Sequence, residues 1–506
     1  MLLSELLQNI PTRQLVGVAD QLVSGLCCDS RKVAPGNIFF ALPGTQVDGL
    51  SFVPQAIVSG AKVVVAEQLP AELTAGVCFV QVANVRQTMA KLAAAYHRLP
   101  TRGVPVIGVT GTNGKTSITY LLEAILRKAG YAPAVFGTVE YRFGEQRIES
   151  SHTTPESVDL MAMIADFRQR GADAFILEVS SHALEQHRVD GIEFDVAIFT
   201  NLTPEHLDYH QNLDNYFASK RRLFSELLQQ GRAVINRDDG FGAQLLRENG
   251  DWGGFGAHAD AQVRALDINV GRDGIRGSFA TPQGTVRIDS LMIGHFNVSN
   301  LLAAVAAAQA LQIENSVIEA GIAEAPQVPG RLQKIANNRG VLALVDYAHT
   351  GDALEQVLKT LSKLEHKRLI TLVGCGGDRD PRKRPVMAAA AVGYSDLAVF
   401  TSDNPRTEDP LQILEQVRDG ALAAGAVQLS TQQLQAGVRG FVVIPERRAA
   451  IEFASQIAEA GDLLLVAGKG HEDYQIIGRT KIHFDDREEL MRTLNTELTT
   501  GVAADV

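Results

Sequence analysis

A glycine-rich segment between an apolar run and an amphipathic run is the feature that most constrains this chain. It reads Gly108-Val-Thr-Gly-Thr-Asn-Gly-Lys-Thr-Ser117. The run Val104–Val109 has the length and β-branched content of a buried strand, and Ser117–Ala129 has apolar residues at helical spacing. Glycines let backbone N–H groups approach phosphate oxygens, and a helix N-terminus adds positive potential. The sequence therefore predicts a nucleotide site at a strand-to-helix turn of an α/β sheet.

Individual residues of this loop have expected roles. Lys115 would reach the β- and γ-phosphates of the nucleotide, and Thr116 would hold Mg²⁺. The strict motif has a glycine where this chain has Val109. The guanine-reading Asn/Thr-Lys-x-Asp motif does not occur, which disfavours a GTPase. The predicted nucleotide-binding residues of the loop are Gly111, Thr112, Asn113, Gly114, Lys115, Thr116 and Ser117.

Length and pattern indicate several domains. The chain has 506 residues, which is more than one hydrophobic core usually accommodates. Strand-like runs alternate with helical stretches on both sides of residues 325–330, and breaks containing Pro and Gly fall there and at 99–103. We therefore expect an α/β protein with three domains, residues 1–98, 99–328 and 329–506.

Charge and composition disfavour several other classes. The net charge of −11 opposes binding to nucleic acid over most of the surface. No run of eighteen apolar residues occurs, and the first residues lack the basic start and apolar stretch of a signal peptide. We expect no membrane insertion and a cytoplasmic location. The four cysteines lack metal-site spacing and indicate reduced thiols.

Further motifs follow the glycine loop in a fixed order. They are Thr153–Pro155, Leu177–His182, Asn201–His210, Tyr216–Lys220, Gly294–Asn300, Pro329–Arg331 and Asp346–Thr350. This series resembles the Mur ligase family along essentially the whole chain, and the loop itself is similar to that of Mur ligases and folylpolyglutamate synthetases. The chain departs from the pattern at Gly351, where relatives usually have Pro.

The resemblance implies an ATP-dependent amide ligase of peptidoglycan synthesis. A carboxylate would attack the γ-phosphate to give an acyl phosphate, and an amine would then displace phosphate. The implied fold has an N-terminal UDP-binding α/β domain, a central P-loop domain with a parallel sheet, and a C-terminal Rossmann-like α/β domain that closes over ATP. We expect a monomer, with ATP, UDP-N-acetylmuramoyl-L-Ala-D-Glu and meso-diaminopimelate as its partners.

The matching motifs imply residues for Mg²⁺ and ATP. Glu178 and His206 match Mg²⁺ ligands, and Lys220 matches a lysine that is carbamylated to N6-carboxylysine and becomes a further ligand. Partial burial would lower the pKa of such a lysine and leave a nucleophilic amine. With Lys115, these three are the expected catalytic residues. The expected ATP-binding residues outside the loop are Asn297, Arg331, Asp346 and His349.

The UDP-linked substrate is expected to bind in two places. Polar turns in the first domain match a UDP site, with Ser30, Thr45 and Gln46 as contacts. A guanidinium binds carboxylate or phosphate in a fork, which suits an anionic peptide. The expected contacts to the muramyl dipeptide are Thr153, Thr154, Ser180, Gln186 and Arg188.

The segment Asp403-Asn-Pro-Arg406 indicates the amino-acid acceptor. It resembles the signature of diaminopimelate-adding members of the family, whereas lysine-adding members lack the arginine. Diaminopimelate differs from lysine by one distal carboxylate, with which Arg406 can pair, and Glu472 would hold the distal ammonium. The expected diaminopimelate contacts are Arg379, Asp403, Asn404, Pro405, Arg406, Gly468 and Glu472.

Three alternatives stay open on the sequence. A folylpolyglutamate synthetase shares the ATP loop but does not account for the N-terminal Asp-Ser-Arg motif or for Asp-Asn-Pro-Arg. A nucleotide-driven switch would hydrolyse ATP without making a covalent product. A lysine-adding ligase with an incidental Arg406 would use a different acceptor.

Overall fold

The computed structural model describes residues 1–44, 47–435 and 437–495. By its internal contacts the chain divides into two compact units. Unit 1 comprises Met1–Ala265, Phe279–Val286 and Ser299–Glu324. Unit 2 comprises Leu266–Ser278, Arg287–Val298 and the described residues from Ala325 onward. No helix in the described ranges has the length and apolar character needed to cross a membrane.

The first sheet of unit 1 is formed by the N-terminal residues. Its strands have the order β1-β5-β4-β3-β2, and all neighbours are parallel except β1 and β5. Valines and phenylalanines fill both faces of the sheet, as expected for strands buried on both sides. The elements are α1 Leu3–Leu6, β1 Gln14–Val16, β2 Gly25–Cys27, β3 Asn37–Phe40, α2 Val53–Val58, β4 Val63–Ala66, β5 Cys78–Gln81 and α3 Val85–Tyr96.

The second sheet has eleven strands in the order β16-β15-β14-β13-β12-β11-β6-β10-β7-β8-β9. The strands are β6 Val106–Thr110, β7 Pro133–Phe136, β8 Glu140–Phe143, β9 Gln146–Glu149, β10 Ala174–Glu178, β11 Val196–Phe199, β12 Arg232–Asn236, β13 Gly253–Gly256, β14 Val263–Gly271, β15 Gly274–Thr281 and β16 Gly284–Ser290. The helices are α4 Lys115–Lys128, α5 Ser157–Gln169, α6 Ser181–Glu185, α7 Leu207–His210, α8 Leu213–Arg222, α9 Gly240–Glu248, α10 Phe296–Ala310 and α11 Asn315–Ala323.

Strand β6 occupies the switch point of this sheet. It pairs in parallel with β10 on one side and with β11 on the other, although both strands come later in the chain. Ligands of open α/β sheets bind where the strand order reverses, beyond the carboxyl ends of the strands. The carboxyl ends of β6, β10 and β11 carry the glycine loop, Glu178 and Thr200. The sheet therefore collects the expected nucleotide residues at one edge.

Unit 2 contains a six-stranded sheet in the order β17-β18-β22-β19-β20-β21, parallel except for β17, and a two-stranded hairpin of β23 and β24. Its strands are β17 Gln333–Ile335, β18 Leu342–Asp346, β19 Leu369–Cys375, β20 Leu397–Ser402, β21 Gly440–Val443, β22 Leu463–Ala467, β23 Tyr474–Ile477 and β24 Thr480–His483. Its helices are α12 Gly351–Leu361, α13 Lys383–Tyr394, α14 Pro410–Ala423, α15 Thr431–Gln435, α16 Arg447–Ile457 and α17 Asp486–Asn495.

The predicted fold class is confirmed. The alternation of apolar runs and helical stretches corresponds to sheets made mainly of parallel strands with helices on their faces. The apolar run before the glycine loop is β6, and the helix expected after the loop is α4. The three domain boundaries proposed from the sequence stay a prediction.

A buried ion pair joins two helices of unit 2. Arg447 begins α16 and Asp486 begins α17, and the guanidinium Nη2 lies 2.6 Å from a carboxylate oxygen with both side chains fully buried. Arg447 also donates to the Ala467 carbonyl at the end of β22, at 3.1 Å. Removing one partner of such a pair leaves the other charge buried without compensation.

We expect Asp486→Ala to lower the free energy of unfolding by about 3–5 kcal/mol, because it strands a buried guanidinium. Urea denaturation followed by circular dichroism measures the change. Arg418→Ala removes an exposed ion pair with Asp419 and should leave the urea midpoint unchanged. Equal midpoints for Asp486→Ala and the native protein would contradict the stabilising role of the pair.

Candidate active site

The glycine loop follows β6 and needs glycine at two positions. Gly111 has φ +144° and Gly114, the residue before α4, has φ +92°. A Cβ on Gly111 would lie 1.9 Å from Thr200 Oγ1, and one on Gly114 would lie 2.4 Å from Asn300 Oδ1. Both backbone conformation and space therefore exclude larger residues, and the loop amides can approach a ligand.

Residues after β11 hold the loop from the other side. Thr200 Oγ1 donates to the Asn113 carbonyl at 2.6 Å, and the Asn113 N–H donates to Asn201 Oδ1 at 2.9 Å. The Thr112 N–H donates to the Asn201 carbonyl, also at 2.9 Å. These contacts satisfy polar groups of an irregular backbone and restrict its movement. Thr200 and Asn201 were not among the predicted site residues.

Two lysines converge on the loop. Lys115 Nζ donates to the carbonyls of Gly111 and Thr112 at 2.8 Å each, and Lys220 Nζ donates to the Gly111 carbonyl at 2.9 Å. Lys220 is 1% exposed and lies on α8, with its Nζ 4.6 Å from the centre of the Tyr216 ring. Burial, followed by the positive charge of Lys115, holds the pKa of Lys220 well below its usual range. The Lys220 amine is therefore suited to be neutral and nucleophilic.

Glu178 lies at the carboxyl end of β10 beside the loop. Its carboxylate accepts hydrogen bonds from Thr116 Oγ1 at 3.1 Å, from Thr138 Oγ1 at 2.8 Å and from the Thr138 N–H at 3.1 Å. The side chain is 1% exposed. A Cβ on Gly137 would lie 2.3 Å from Glu178 Oε1, so glycine gives the carboxylate its space. Thr138 was not predicted from the sequence.

The oxygen atoms of Thr116 and Glu178 fit a hard divalent cation, which prefers hydroxyl and carboxylate ligands. Within the described residues, no three His, Cys, Asp or Glu side chains come together as a ligand group.

His206 belongs to a group of aromatic side chains. It has φ +56°, and its ring centre lies 4.9 Å from that of His182. His182 also contacts Tyr209 at 4.3 Å and His210 at 5.5 Å. Burial is the main cause that lowers the pKa of His182 and His210 to about 4, and it also lowers the pKa of His206. A lowered pKa favours the neutral imidazole, which is the form that binds metal ions.

The five residues expected to hold the dipeptide lie together beside Glu178. Thr154 Oγ1 donates to the Glu178 carbonyl at 2.7 Å, and the Ser180 N–H donates to Thr154 Oγ1 at 3.2 Å. Arg188 donates to the Thr154 carbonyl and to Gln186 Oε1, at 2.8 Å each. Thr153 Oγ1 lies 3.1 Å from Thr138 Oγ1.

The expected UDP contacts are only partly described. Ser30 opens a short helical turn capped by Asp29, and its hydroxyl donates to Gln55 Oε1 at 3.3 Å. Thr45 and Gln46 lie outside the described residues.

In unit 2, Asp346 organises the backbone around the expected nucleotide contacts. Its carboxylate accepts the N–H groups of Leu332 at 2.7 Å and Ala348 at 2.8 Å, and burial raises its pKa. The Arg331 guanidinium lies 4.8 Å from the centre of the Tyr347 ring, and the His349 ring centre lies 4.6 Å from the same ring. The Asn297 carboxamide donates to the Ile293 carbonyl at 2.8 Å. Asp346 thus fixes the backbone at Leu332 and Ala348, next to Arg331 and His349, by accepting their amide hydrogen bonds.

A buried lysine connects the loops after β20 and β22. Lys469 Nζ donates to Asp403 Oδ1 at 3.2 Å, and to Asn404 Oδ1 and Glu472 Oε2 at 3.3 Å each. Asn404 Nδ2 also donates to Glu472 Oε2 at 2.9 Å. Lys469 is fully buried, and the carboxylates of Asp403 and Glu472 compensate its charge inside the protein. It was not a predicted site residue, although it stands between the predicted residues Gly468 and Glu472.

Arg406 is held in a constrained conformation. It has φ +51°, its N–H donates to the Ile476 carbonyl at 3.1 Å, and its Nη1 donates to the Gly377 carbonyl at 2.7 Å. Burial lowers the pKa of Lys383, Cys375 and Asp403 oppose this effect, and the guanidinium groups of Arg379 and Arg406 add to it. The structure therefore brings positive charge together beyond the carboxyl ends of β19 and β20. The Gly468 N–H donates to the Asp346 carbonyl at 3.1 Å, and the Pro405 carbonyl accepts from the Glu408 N–H at 3.1 Å.

Family models match three stretches of the chain. They are described as Mur ligase family, catalytic domain (residues 22–97), Mur ligase middle domain (residues 109–308), and Mur ligase, glutamate ligase domain (residues 330–470).

Curated relatives and solved structures are similar over nearly the full length. The UDP-N-acetylmuramoyl-L-alanyl-D-glutamate–2,6-diaminopimelate ligase of Geobacter sulfurreducens is 49% identical, covering 97% of this chain and 98% of its own. The enzyme of the same name from Gloeobacter violaceus is 42% identical, covering 99% of both chains. A solved structure with this name has a TM-score of 0.71 at 33% identity, covering 98% of both chains. Folylpolyglutamate synthase of Mycobacterium tuberculosis shares the fold alone, with a TM-score of 0.59 at 17% identity over 74% of this chain and 91% of its own. The chain belongs to the Mur ligase family.

Proposed function

We propose that this chain is an ATP-dependent ligase that joins meso-2,6-diaminopimelate to the D-Glu residue of UDP-N-acetylmuramoyl-L-Ala-D-Glu. The observation that carries the proposal is the constrained Arg406, in a chain 49% identical to a ligase of that name. It stands two residues after Asn404, whose carboxamide donates to Glu472. The cytoplasmic location and the monomeric state expected from the sequence stay part of this proposal.

The first step transfers the γ-phosphoryl group of ATP to the substrate. An oxygen of the D-Glu side-chain carboxylate attacks the γ-phosphorus, the bond to the β,γ-bridging oxygen breaks, and ADP leaves with an acyl phosphate as the other product. Little covalent chemistry falls to the protein, so positioning and charge neutralisation dominate. Lys115 and the loop amides between Gly111 and Ser117 supply positive charge to the phosphates.

Mg²⁺, when bound, would neutralise developing phosphate charge. We propose Thr116, Glu178, His206 and carbamylated Lys220 as the residues that hold it. Support comes from the adjacent oxygens of Thr116 and Glu178, from the neutral form favoured for His206, and from the buried Lys220 amine.

The second step forms the amide bond. The neutral amine of diaminopimelate attacks the acyl carbon, phosphate leaves with the former carboxylate oxygen, and the nitrogen gives up a proton. In our proposal Arg406 and Arg379 pair with the distal carboxylate, and Glu472 and Asn404 orient the distal ammonium. A site built for these polar groups rejects lysine because Arg406 would lose its anionic partner.

Competition between two amino acids tests the proposal. We expect purified protein with ATP, Mg²⁺, the UDP-dipeptide and equal diaminopimelate and lysine to yield a UDP-tripeptide that contains diaminopimelate, identified by mass spectrometry. Arg406→Ala should reduce kcat/KM for diaminopimelate by about 100-fold or more, because a charge-assisted contact to the distal carboxylate is lost.

Exposed Arg418 offers a matched control, and Arg418→Ala should leave the product and its rate unchanged. A lysine-containing product would support the ligase activity but would rule out diaminopimelate as the acceptor. ATP hydrolysis without a covalent product would favour a nucleotide-driven switch, and failure to bind the UDP-dipeptide would favour folylpolyglutamate synthesis.

Carbamylation of Lys220 has its own test. We expect protein equilibrated with ¹³C-labelled CO₂ to show a carbamate carbon signal by NMR, because the buried amine is held neutral. Lys220→Arg should abolish the signal, and stripping CO₂ from the buffer should lower kcat until bicarbonate is restored. An unmodified Lys220 with activity independent of CO₂ would contradict this assignment.

A further inference from the structure

The first turn of helix α3 is attached to the turn that carries Gln186 and Arg188. Asn84 caps the helix by accepting from the Gln87 N–H at 2.9 Å, so its amide nitrogen points to His187 Nε2, 3.1 Å away. Gln87 Nε2 donates to Asp190 Oδ2 at 3.2 Å. Two contacts thus fix this helix start against residues 187–190.

Arg86 lies between these two anchors and faces Glu156. Its Nη1 is 3.6 Å from Glu156 Oε2, which is an ion pair but exceeds hydrogen-bond length. The other carboxylate oxygen of Glu156 lies 2.9 Å from Arg188 Nη2. One carboxylate therefore forms ion pairs with two guanidinium groups, and the three side chains together carry one net positive charge. The N-terminal end of α3 adds positive potential at the same place.

Some hydrogen-bond donors in this cluster have no acceptor. Among the described residues, Arg86 Nη1 and Arg188 Nε are buried donors without a hydrogen-bond partner, and Glu156 Oε2 is a buried acceptor without one. Arg188 is 7% exposed. Buried N–H groups without partners are costly, and two arginine donors in one cluster suit an oxyanion.

The cluster lies where two parts of the expected substrate site meet. Arg188 belongs with Thr154 and Gln186, the expected dipeptide contacts. On the other side, burial, followed by the charge of Glu156, raises the pKa of the Cys28 thiol to about 12, and the positive charge of Arg86 opposes that rise. Cys28 stands two residues before Ser30. Helix α3 follows β5 of the N-terminal sheet, and Ser30 lies in the connection between β2 and β3 of the same sheet.

We propose that Arg86 is a further substrate-binding residue, which holds with Arg188 an anionic oxygen group of the UDP-linked peptide. The group is either the diphosphate or a peptide carboxylate, both of which offer the same oxyanion chemistry to a guanidinium. Glu156 is a positioning residue that sets the two arginines side by side. The inference rests on the proposed function, because it takes its ligand from that reaction.

Binding in the absence of turnover tests the role of Arg86. We expect Arg86→Ala to weaken binding of UDP-N-acetylmuramoyl-L-Ala-D-Glu about 10- to 100-fold by calorimetry, the range for a lost hydrogen bond to a charged group. The KM values for ATP and diaminopimelate should not change. Arg86→Lys should restore part of the affinity, since it returns the charge without the fork.

A second ligand separates the two sources of the anion. Loss of affinity for UDP-N-acetylmuramic acid as well as for the dipeptide form would assign Arg86 to the diphosphate, and loss for the dipeptide form alone would assign it to a peptide carboxylate. Lys91→Ala, on the same helix, is the matched control and should bind both ligands normally. If Arg86→Ala does not fold, the affinities of Arg86→Lys and the native protein for the two ligands are compared instead. Equal affinities would then overturn the role of Arg86.

Unchanged affinity for both ligands in a folded Arg86→Ala protein would overturn the inference. A rise in the KM for ATP as large as the loss of affinity for the UDP-linked ligand would overturn it as well. Failure of the proposed function looks different. The native protein would then make no UDP-tripeptide, whereas the effect of Arg86 on binding of a UDP-linked ligand is measured without any product.

Discussion

Close contact between the glycine loop and the end of β11 is the constraint on which the unit 1 site depends. Gly111 leaves no room for a side chain beside Thr200, and Asn113 is hydrogen-bonded to both Thr200 and Asn201. Strand β6 lies between β10 and β11, so the loop that follows it also lies beside the end of β10. Glu178 is therefore next to Thr116, and Lys220 donates to the Gly111 carbonyl. The phosphate loop, the carboxylate and the buried lysine are therefore positioned as one assembly.

Each unit contains a buried lysine, but the two lysines have different surroundings. The hydrogen-bond acceptor of Lys220 is a backbone carbonyl, and Lys115 stands close by, so burial favours the neutral amine. Lys469 contacts Asp403 and Glu472, which compensate its charge. The first environment suits reaction of an amine with CO₂, whereas the second suits a fixed cation that orients an amino-acid pocket.

Local patterns were sufficient to predict much of the fold. The strand–loop–helix order around Gly111 and the spacing of apolar residues predicted β6, α4 and the α/β class, because these depend on neighbouring residues. Thr138, Thr200, Asn201 and Lys469 were missed, since their significance arises from partners far along the chain. Lys469, for example, matters through Asp403, which stands 66 residues away. A single sequence does not record such pairings, and the roles of the predicted site residues themselves remain proposals.

The path of one oxygen atom tests the central claim most directly. UDP-N-acetylmuramoyl-L-Ala-D-Glu labelled with ¹⁸O in the D-Glu side-chain carboxylate would be converted with ATP and diaminopimelate, and the released phosphate analysed by mass spectrometry. Formation of an acyl phosphate at the Lys115 loop predicts that one labelled oxygen appears in phosphate for each amide bond made. Phosphate without ¹⁸O, together with normal product, would contradict carboxylate activation by phosphoryl transfer.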